Sequence, residues 1–365
     1  MRGPILVTAG GTGGHMFPAL ALARELRGRG EPVAMVTDRR GARFMPEDLE
    51  AHLVRAGSPT GSLPRRLAGI CALVAGIFDA WRVARRLKPR AAASFGGYAS
   101  VPAAIAARLA GRPLLLHEQN AVFGRANRLL ARFAEVIALS FEATSAVPER
   151  GRARLVVTGN PVRPGFEADP AGYRAPGPNE PIRILVIGGS QGARIFSDVV
   201  PAAVALLPAE LSRRLRIEQQ CRPEDLARVA DAYKAHGIAA EVAGFFTDMP
   251  AHLARAHLVI SRAGASSLTE IMAMGRPSIL VPYAAAADDH QRANAEALAR
   301  AGGAVRMLQA SFTPVALAAE LTALAAAPER LEAMATAALA TFRRDAAGRL
   351  ADAVLALVPA TGESP

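Results

Sequence analysis

The amino-acid sequence predicts an α/β protein that contains two doubly wound parallel sheets. Short apolar runs alternate with segments of helical periodicity in both halves of the chain, as expected when helices connect parallel strands. Two of these runs, at 5–9 and 182–187, lead directly into a glycine-rich turn and then into a helical segment. We therefore expect two Rossmann-like domains facing each other across a cleft, with both turns at the carboxyl ends of strands, where such sheets bind ligands.

The predicted strands fall into two sets. In the first half they lie at 5–9, 33–37, 91–95, 114–117 and 136–139, and in the second half at 182–187, 216–219, 240–243, 258–261, 278–281 and 304–308. A proline-rich stretch typical of a linker separates the two sets. The predicted domains are thus 1–160 and 182–340, with a linker at 161–181 and a helical segment at 341–365 that can pack on either domain.

Length and composition suit a globular protein with two cores. The chain has 365 residues, of which 51% are hydrophobic and 21% charged, and this balance is not that of a disordered chain. The first residues pass directly into a strand, so we expect no secretory signal. The two cysteines, Cys71 and Cys221, form no Cys-x-x-Cys pair; we expect reduced thiols in the cytoplasm and no zinc site.

The positive charge is concentrated in the first domain. Residues 1–160 contain 23 Lys and Arg against 11 Asp and Glu, whereas the remainder contains 20 against 21. This asymmetry points to a nucleic-acid or anionic-membrane surface on one domain, or else to a proteome that uses arginine wherever a solvated cation is tolerated. Aromatic residues make up only 5% of the chain, which does not favour nucleic-acid binding.

One segment of the first domain has the pattern of a helix that lies on a membrane. Residues 67–81 contain a single charged side chain, Asp79, and arginines stand on both sides. The apolar residues that recur at helical spacing are Leu67, Ile70, Val74, Ile77, Phe78 and Trp81. An apolar face, an interfacial Trp and flanking cations such as Arg85 favour an anionic bilayer surface, although a buried helix flanking the sheet has a similar pattern. We expect no membrane-crossing span.

The first glycine-rich turn, Gly10-Gly11-Thr12-Gly13-Gly14-His15, ends in a histidine, a residue type that often serves as an acid or base in catalysis. Glycines let backbone N–H groups approach a ligand, and the following helix start favours anions. A dinucleotide fingerprint would need glycine where Met16 stands, and no phosphate-binding GxxxxGK[ST] motif follows. Binding of NAD(P) or ATP is therefore not favoured.

Two further turns in the first domain carry polar or glycine-rich sequence. Gly96-Gly97-Tyr98 follows the predicted strand at 91–95, and His117-Glu118-Gln119-Asn120 ends the strand at 114–117. A single turn of this kind is usually a tight connection. Three that converge on one edge of a sheet indicate a site.

The second domain offers two helix starts suited to a diphosphate. Ser190 follows Gly188-Gly189, and Ser266 or Ser267 can cap the helix after Arg262-Ala263-Gly264. Glu270 can bond ribose hydroxyls or act as a capping-box glutamate. A polar cluster follows at 288–291, together with Asn294, and no Asp-x-Asp occurs in the chain. A metal-clamped nucleotide sugar is therefore disfavoured.

Eight motifs in register together resemble one enzyme family. They are Gly10 to His15, Pro18-Ala19, Gly96-Gly97-Tyr98, His117-Glu118-Gln119-Asn120, Gly159-Asn160-Pro161-Val162-Arg163, Gly188-Gly189-Ser190-Gln191-Gly192-Ala193, Arg262-Ala263-Gly264 through Glu270, and Asp289-His290-Gln291. In this order, from residue 4 to about residue 300, the chain closely resembles the MurG family of UDP-N-acetylglucosamine transferases.

The resemblance implies a GT-B type glycosyltransferase that works without a metal or other cofactor. The donor is UDP-N-acetylglucosamine, bound mainly by the second domain. The acceptor is undecaprenyl-diphosphate-linked N-acetylmuramyl pentapeptide, bound by the first domain at the cytoplasmic face of the bacterial inner membrane, in peptidoglycan synthesis. The partners implied are these two substrates and an anionic membrane surface, with no nucleic acid.

The resemblance also implies site residues, position by position. Those implied in donor binding are Thr12, Gly13, Gly14, Asn120, Arg163, Ser190, Phe246, Arg262, Gly264, Ala265, Ser266, Ser267, Glu270 and Gln291. Those implied for the acceptor and the membrane are Gly96, Gly97, Tyr98, Ile70, Val74, Ile77, Trp81 and Arg85. Phe246 aligns with a position that is aliphatic in a member of the family, and the alanines at 284–287 offer no side-chain donors.

The implied reaction is a single displacement with inversion, from an α-linked donor to a β-1,4 product. A base removes the proton of the muramyl 4-hydroxyl while UDP leaves toward helix N-termini. His15 is the first candidate for the base and Glu118 the second.

Three other functions compete with this interpretation. A glycosyltransferase acting on diacylglycerol would share the fold, but His117-Glu118-Gln119-Asn120 argues against it. A non-catalytic module that binds nucleotide sugars or nucleic acid would bind without releasing UDP. An NAD(P) oxidoreductase is disfavoured by Met16.

Overall fold

The computed structural model describes residues 2–59, 61–149, 152–166, 172–189 and 192–358. Two compact units make up the chain. The first comprises the described residues of Met1–Arg163 and Arg343–Pro365, and the second those of Pro164–Phe342. The first three residues of the predicted linker thus belong to the first unit, and its other described residues belong to the second.

The first unit contains a parallel sheet of seven strands within its described residues. The strands are β1 Ile5–Thr8, β2 Val33–Thr37, β3 Ala51–Leu53, β4 Ala91–Ser94, β5 Leu114–Glu118, β6 Val136–Leu139 and β7 Arg154–Val157. Their order is β3-β2-β1-β4-β5-β6-β7, and all pairings are parallel. The winding reverses between β1 and β4, which places their carboxyl ends at the switch point of a doubly wound sheet.

The two edge strands of this sheet, β3 and β7, were not predicted from the sequence. Strand β3 has only three residues, and β7 begins with the exposed Arg154 and Leu155. Edge strands bury fewer side chains than central ones, so they lack the continuous apolar run by which the five central strands were recognised. Those five predicted strands are confirmed.

The second unit repeats the arrangement with six parallel strands within its described residues. They are β8 Ile182–Ile187, β9 Leu215–Gln220, β10 Ala239–Ala243, β11 Leu258–Ser261, β12 Ser278–Leu280 and β13 Ala304–Arg306. Their order is β10-β9-β8-β11-β12-β13. All six correspond to predicted strands, and the reversal here lies between β8 and β11.

Helices cover both sheets. Those between the strands of the first unit are α1 Gly13–Gly28, α2 Leu63–Leu87, α3 Val101–Leu109 and α4 Arg125–Leu130, with 3-10 turns at Gly41–Phe44 and Ala131–Phe133. The second unit has α5 Arg194–Ala205, α6 Ala209–Arg214, α7 Leu226–Ala235, α8 Met249–Arg255, α9 Ala265–Ala273, α10 His290–Arg300, α11 Pro314–Ala325 and α12 Pro328–Thr341, with 3-10 turns at Pro223–Asp225 and Ala287–Asp289. A last helix, α13 Ala346–Leu355, belongs to the first unit.

Helix α13 packs on the first sheet beside α1. Its buried Leu350 and Val354 join the same core cluster as Leu22 and Leu26 of α1. At the surface, Arg29 forms an ion pair with Asp352 of α13, and its Nη2 donates to the carbonyl oxygen of Gly348 at 3.2 Å. The sequence left the placement of this helix open, because an apolar face of this kind fits any exposed sheet or helix surface.

Helix α2 is long and apolar enough to cross a membrane by length and composition, with a mean hydropathy of 1.6 over 18 residues. This corrects the expectation that the chain has no such segment. One face of α2 nevertheless packs tightly on the first unit. A Cβ added at Gly76 would lie 1.9 Å from the carbonyl oxygen of Arg55, and Ala80 and Ala84 are buried.

The opposite face of α2 is apolar and exposed, so α2 is not the fully buried helix of the alternative interpretation. Its exposed apolar side chains are Leu63, Leu67, Ile70, Val74 and Phe78, and Val74 is 62% exposed. Ile77 and Trp81 are only partly exposed. The rings of Phe78 and Trp81 are stacked with centroids 6.1 Å apart, and the Arg85 guanidinium lies 4.9 Å from the Trp81 ring.

Candidate active site

The first glycine-rich turn connects the carboxyl end of β1 to α1. Thr12 is the N-cap in extended conformation, and its side chain makes no capping bond. Gly13 and Gly14 therefore begin the helix with N–H groups that point out of its first turn. Gly10 backs onto the turn after β4, since a Cβ added there would lie 2.4 Å from the Cβ of Ala99. The first two predicted turns of this unit are in direct contact.

The His15 ring lies on the bare backbone of the second turn. A Cβ added at Gly97 would come within 3.2 Å of His15 Cδ2, and one at Gly96 within 3.6 Å of Cε1. Both glycines have positive φ, 79° and 75°, a conformation that side chains disfavour. The next residue, Tyr98, is partly exposed. The hydroxyl of Ser100 donates to the Gly97 carbonyl at 2.9 Å and closes this turn.

The third predicted turn follows β5 and also contacts the His15 ring. His15 Nδ1 lies 3.1 Å from Oε1 of Gln119. The Gln119 amide nitrogen lies 2.9 Å from the Phe95 carbonyl oxygen and 3.0 Å from His117 Nδ1. His117 is fully buried, and burial lowers its pKa to about 4. The three turns of the first unit thus meet around His15.

Glu118 is surrounded by hydrogen-bond donors. Its carboxylate accepts from the backbone and side-chain nitrogens of Asn120, both at 3.1 Å, from the Gly124 backbone N–H at 2.9 Å and from Asn127 Nδ2 at 2.8 Å. The residue is only 2% exposed. This carboxylate holds the segment between β5 and α4 in place.

Arg163 lies beside α1 at the end of the first unit. Its guanidinium carbon is 4.5 Å from the centre of the Phe17 ring. Phe17 also packs close to the first turn, because a Cβ added at Gly13 would lie 2.8 Å from its Cε2. Arg163 and the first turn of α1 therefore pack against the same aromatic ring.

In the second unit, the glycine turn after β8 is described only in part. Ser190 and Gln191 lie outside the described residues. Gly188 donates its N–H to Oε1 of Gln220 at 3.3 Å, and a Cβ added at Gly188 would lie 2.3 Å from the Ala193 nitrogen. A side chain at position 188 would therefore clash with the backbone of Ala193.

Helix α9 begins two residues earlier than a cap at Ser266 would place it, and three earlier than a cap at Ser267. Gly264 is the N-cap and Ala265 the first helical residue, so Ser266 and Ser267 lie inside the first turn. This corrects the prediction of a serine cap. The capping-box interpretation of Glu270 fails with it, since that motif needs the acid at the third helical position. Glu270 lies one turn further in and is 7% exposed.

The first turn of α9 presents unpaired polar groups. A helix start leaves N–H groups without partners and carries a partial positive charge, and no side chain caps this one. The Ser266 hydroxyl is buried and has no hydrogen-bond partner in the described part of the chain. This surface can bind an anion or a polar ligand.

Arg262, just before α9, is held by oxygen atoms of its own unit. Its Nη1 donates to the Val281 carbonyl at 3.1 Å and to Oε1 of Gln309 at 2.9 Å. The guanidinium lies between the rings of Phe196 and Tyr283, 5.3 Å from each centroid. Burial lowers its pKa. Arg262 therefore supports the segment that leads into α9 as well as adding charge.

The polar cluster before α10 is tied to the same region. Asp288 and Asp289 both have left-handed backbone conformations, and Gln291 Oε1 accepts from the Tyr283 N–H at 3.0 Å. Asn294 is buried and donates to the Ala263 carbonyl at 3.0 Å. Gln291, at the start of the same helix, is thereby brought near α9.

Phe246 lies apart from this cluster in its contacts. It is 4% exposed, and its ring packs on His252 with centroids 4.2 Å apart. Any contact with a ligand is therefore left to its backbone. Among the described residues, no group of three or more His, Cys, Asp or Glu side chains is placed to hold a metal ion.

Sequence reasoning missed the roles of several polar residues. Gln119 and His117 were recognised as part of a motif, but not as contacts of His15. Asn127 was not singled out at all, although it bonds Glu118. The available signal was the presence of polar side chains at positions where the strand and helix patterns require burial.

Comparison with known proteins identifies the family of the chain. Residues 5–139 match the N-terminal domain and residues 183–350 the C-terminal domain of glycosyltransferase family 28. The chain is 51% identical over 355 residues to a Rhodospirillum centenum protein, covering 96% of this chain and 94% of that one. It is 50% identical over 362 residues to a Paramagnetospirillum magneticum protein, covering 97% of each.

Both relatives are named UDP-N-acetylglucosamine--N-acetylmuramyl-(pentapeptide) pyrophosphoryl-undecaprenol N-acetylglucosamine transferase. Among solved structures, Acinetobacter baumannii MurG superposes with a TM-score of 0.79 at 31% identity, over 97% of this chain and 99% of that one. The fold is therefore of the GT-B type, and the chain belongs to glycosyltransferase family 28, in its MurG group of N-acetylglucosaminyltransferases.

Proposed function

We propose that the chain transfers N-acetylglucosamine from UDP-N-acetylglucosamine to the 4-hydroxyl of undecaprenyl-diphosphate-linked N-acetylmuramyl pentapeptide, a step of peptidoglycan synthesis. The observation that carries this proposal is about 50% identity, over nearly the whole chain, to enzymes named for this transfer. The contacts of His15 and the open first turn of α9 support it.

The donor is bound by the second unit. The N–H groups at the start of α9 and the Ser266 hydroxyl take the diphosphate, because a helix N-terminus stabilises negative charge and this hydroxyl has no partner among the described residues. Glu270 accepts bonds from the ribose hydroxyls, and the amide nitrogen of Gln291 donates to the sugar. Ser190, Arg262, Gly264, Ala265, Ser267 and the Phe246 backbone complete the donor contacts of this unit.

The first unit supplies the base. His15 Nε2 removes the proton from the muramyl 4-hydroxyl as its oxygen bonds the anomeric carbon. The bond from that carbon to the diphosphate breaks, and UDP leaves with the electron pair. The four N–H donors around Glu118 support a structural role for that carboxylate rather than the role of base. Thr12, Gly13, Gly14, Asn120 and Arg163 contact the donor, and Gly96, Gly97 and Tyr98 the acceptor.

A UDP-release assay tests this transfer. Purified enzyme is given UDP-N-acetylglucosamine with and without the lipid-linked muramyl acceptor, and each reaction is repeated with a chelator. We expect UDP release that requires the acceptor and survives the chelator. Release without acceptor, or no release with it, would contradict the proposal, and loss of activity in chelator would overturn its metal independence.

The exposed face of α2 docks the enzyme on the cytoplasmic surface of the anionic inner membrane. Exposed apolar side chains on one face, with arginines at both ends, are the features of an interfacial helix. An enzyme whose acceptor carries a long polyprenyl tail must bind that acceptor at a bilayer surface. The close packing of Gly76, Ala80 and Ala84 supports surface docking over insertion of α2 across the bilayer.

Vesicle binding tests the docking face. We replace three arginines with glutamate: Arg65, Arg85 and Arg86. This triple variant should bind anionic vesicles at least about 100-fold more weakly at low salt, because each basic residue near such a surface contributes about 1 kcal/mol to the free energy of binding. The matched control reverses three exposed cations of the second unit, Arg213, Arg216 and Lys234. Equal binding of the two triple variants would refute the α2 face.

A further inference from the structure

We propose that Gln119 is a positioning residue that sets the tautomer of His15, as the middle member of a hydrogen-bond chain. The chain begins at the Gly159 carbonyl and passes through His117 and Gln119 to His15. The inference rests on the proposed function in one respect, because it takes His15 as the base of the transfer.

The orientation of the Gln119 amide follows from its neighbours. One end of the amide lies 2.9 Å from the Phe95 carbonyl oxygen and 3.2 Å from the His117 carbonyl oxygen. Carbonyl oxygens only accept hydrogen bonds, so the end that faces them must be the NH₂ group. The amide oxygen is then the end that faces His15.

The tautomer of His15 follows from that oxygen. His15 Nδ1 lies 3.1 Å from Gln119 Oε1, and two acceptors at this distance would repel each other. Nδ1 therefore carries the hydrogen, and the other ring nitrogen, Nε2, keeps its lone pair. A lone pair on Nε2 is what the proposed proton transfer requires.

His117 closes the chain at its inner end. The same NH₂ group lies 3.0 Å from His117 Nδ1, which therefore accepts, so that Nε2–H donates to the Gly159 carbonyl at 3.0 Å. Burial keeps His117 neutral at physiological pH, with its pKa lowered to about 4. His117 thus has one available form, and its acceptor nitrogen faces Gln119.

The chain suits a base in both of its protonation states. When Nε2 takes a proton, the Nδ1–H bond to Gln119 is kept and is strengthened by the new positive charge. His117 and Gln119 need not move, because neither changes its donors or acceptors. An amide suits position 119 because it offers two hydrogen-bond donors at one end and an acceptor at the other.

The direct test is the tautomer of each histidine in the parent protein. The full chain, labelled with ¹⁵N in its imidazole rings, is studied by long-range ¹H–¹⁵N correlation at alkaline pH. Signals are assigned with His15→Gln and His117→Asn among the seven histidines. We expect Nδ1–H for His15 and Nε2–H for His117. The opposite form at either residue would overturn the proposal whatever the activity.

The variant Gln119→Leu removes both ends of the amide at similar volume. His15 should then lose its Nδ1–H form, and kcat should fall about 10- to 100-fold with the KM for UDP-N-acetylglucosamine within about threefold of the parent. The control Ser140→Ala removes a hydroxyl 3.4 Å from His117 Nε2 and leaves the Gly159 acceptor in place. It should keep both tautomers and parental kcat.

The outcomes separate this inference from the proposed function. Loss of the Nδ1–H form in Gln119→Leu together with a lower kcat supports the positioning role. Parental kcat in Gln119→Leu refutes it while the transferase function stands. If the parent itself shows no acceptor-dependent UDP release, the transferase proposal fails. Any catalytic role of the hydrogen-bond chain then fails with it. If Gln119→Leu does not fold, the tautomers of the parent still decide whether the hydrogen-bond chain exists.

Discussion

The turns after β4 and β11 occupy equivalent positions in their sheets, yet they satisfy their polar groups in opposite ways. Each strand pairs with the first strand of its unit at the point where the winding reverses. After β4, the Ser100 hydroxyl bonds the Gly97 carbonyl, and the His15 ring covers both glycines. After β11, α9 begins without a side-chain cap, and the Ser266 hydroxyl has no partner in the described residues.

This difference separates two kinds of site on one scaffold. In the first unit the polar side chains form hydrogen bonds with one another, and these bonds orient the His15 ring. In the described part of the second unit, no side chain caps the start of α9 and the buried Ser266 hydroxyl has no partner, so a ligand bound at this turn can form these bonds. Changes in the first unit should therefore act on turnover and on stability, and changes in the second on substrate binding.

The largest effect is expected at His15. His15→Ala should lower kcat by at least about 100-fold, since general-base catalysis contributes factors of this size or more, with the donor KM changed only a few-fold. Steady-state UDP release measures both constants. His236→Ala, at an exposed position of the second unit, is the control. Turnover within a few-fold of the parent would remove His15 from the role of base.

The next effect is a pH dependence of stability from His117. Its pKa is lowered from 6.5 to about 4 in the folded chain, so only the unfolded chain gains this proton between those values. Stability is fully present above pH 6.5 and falls by roughly 3 kcal/mol as the pH drops toward 4. Denaturant unfolding of the parent and of His117→Asn across this range measures the difference.

The control for this pH dependence is His236→Asn, whose histidine is exposed. It should retain the parental loss of stability on acidification, whereas His117→Asn should lose that part of it. Parallel curves for the parent and His117→Asn would show that the buried ring does not carry the effect.

A smaller effect is expected at Glu270, and it should fall on binding. Glu270→Gln weakens charge-assisted bonds to ribose, worth about 1.5–3 kcal/mol, so the KM for UDP-N-acetylglucosamine should rise about 10- to 100-fold with kcat nearly unchanged. Glu329→Gln, at an exposed position of α12, is the matched control. A fall in kcat alone would place Glu270 with the reacting atoms instead.

The smallest effect is expected at Ser266. Because its buried hydroxyl has no partner among the residues that the structure describes, Ser266→Ala should leave the free energy of unfolding within about 0.5 kcal/mol of the parent. The donor KM should rise about 2- to 10-fold through the loss of one hydrogen bond. Marked destabilisation with an unchanged KM would show that the turn after β11 is closed on itself, like the turn after β4.

Much of the fold could be predicted because central strands of a parallel sheet are buried on both faces. The runs at 5–9 and 182–187 are continuous and apolar for that reason, and their glycine turns mark the carboxyl ends. Edge strands β3 and β7 lack such runs and were missed. The start of α9 was misplaced, because Gly264, Ser266 and Ser267 are all acceptable caps in sequence.

The sequence by itself determined which residues are available for chemistry, since the motifs at 10–15, 117–120 and 262–270 specify residue types and their order along the chain. The tertiary structure decided which of them meet. His15 and Gln119 are 104 residues apart, and they touch because β4 pairs with both β1 and β5 and so brings the ends of these strands to one edge. The tertiary structure also decided which face of α2 is exposed. Helical periodicity reveals the apolar face of α2, but only packing against the rest of the first unit determines which face remains in solvent.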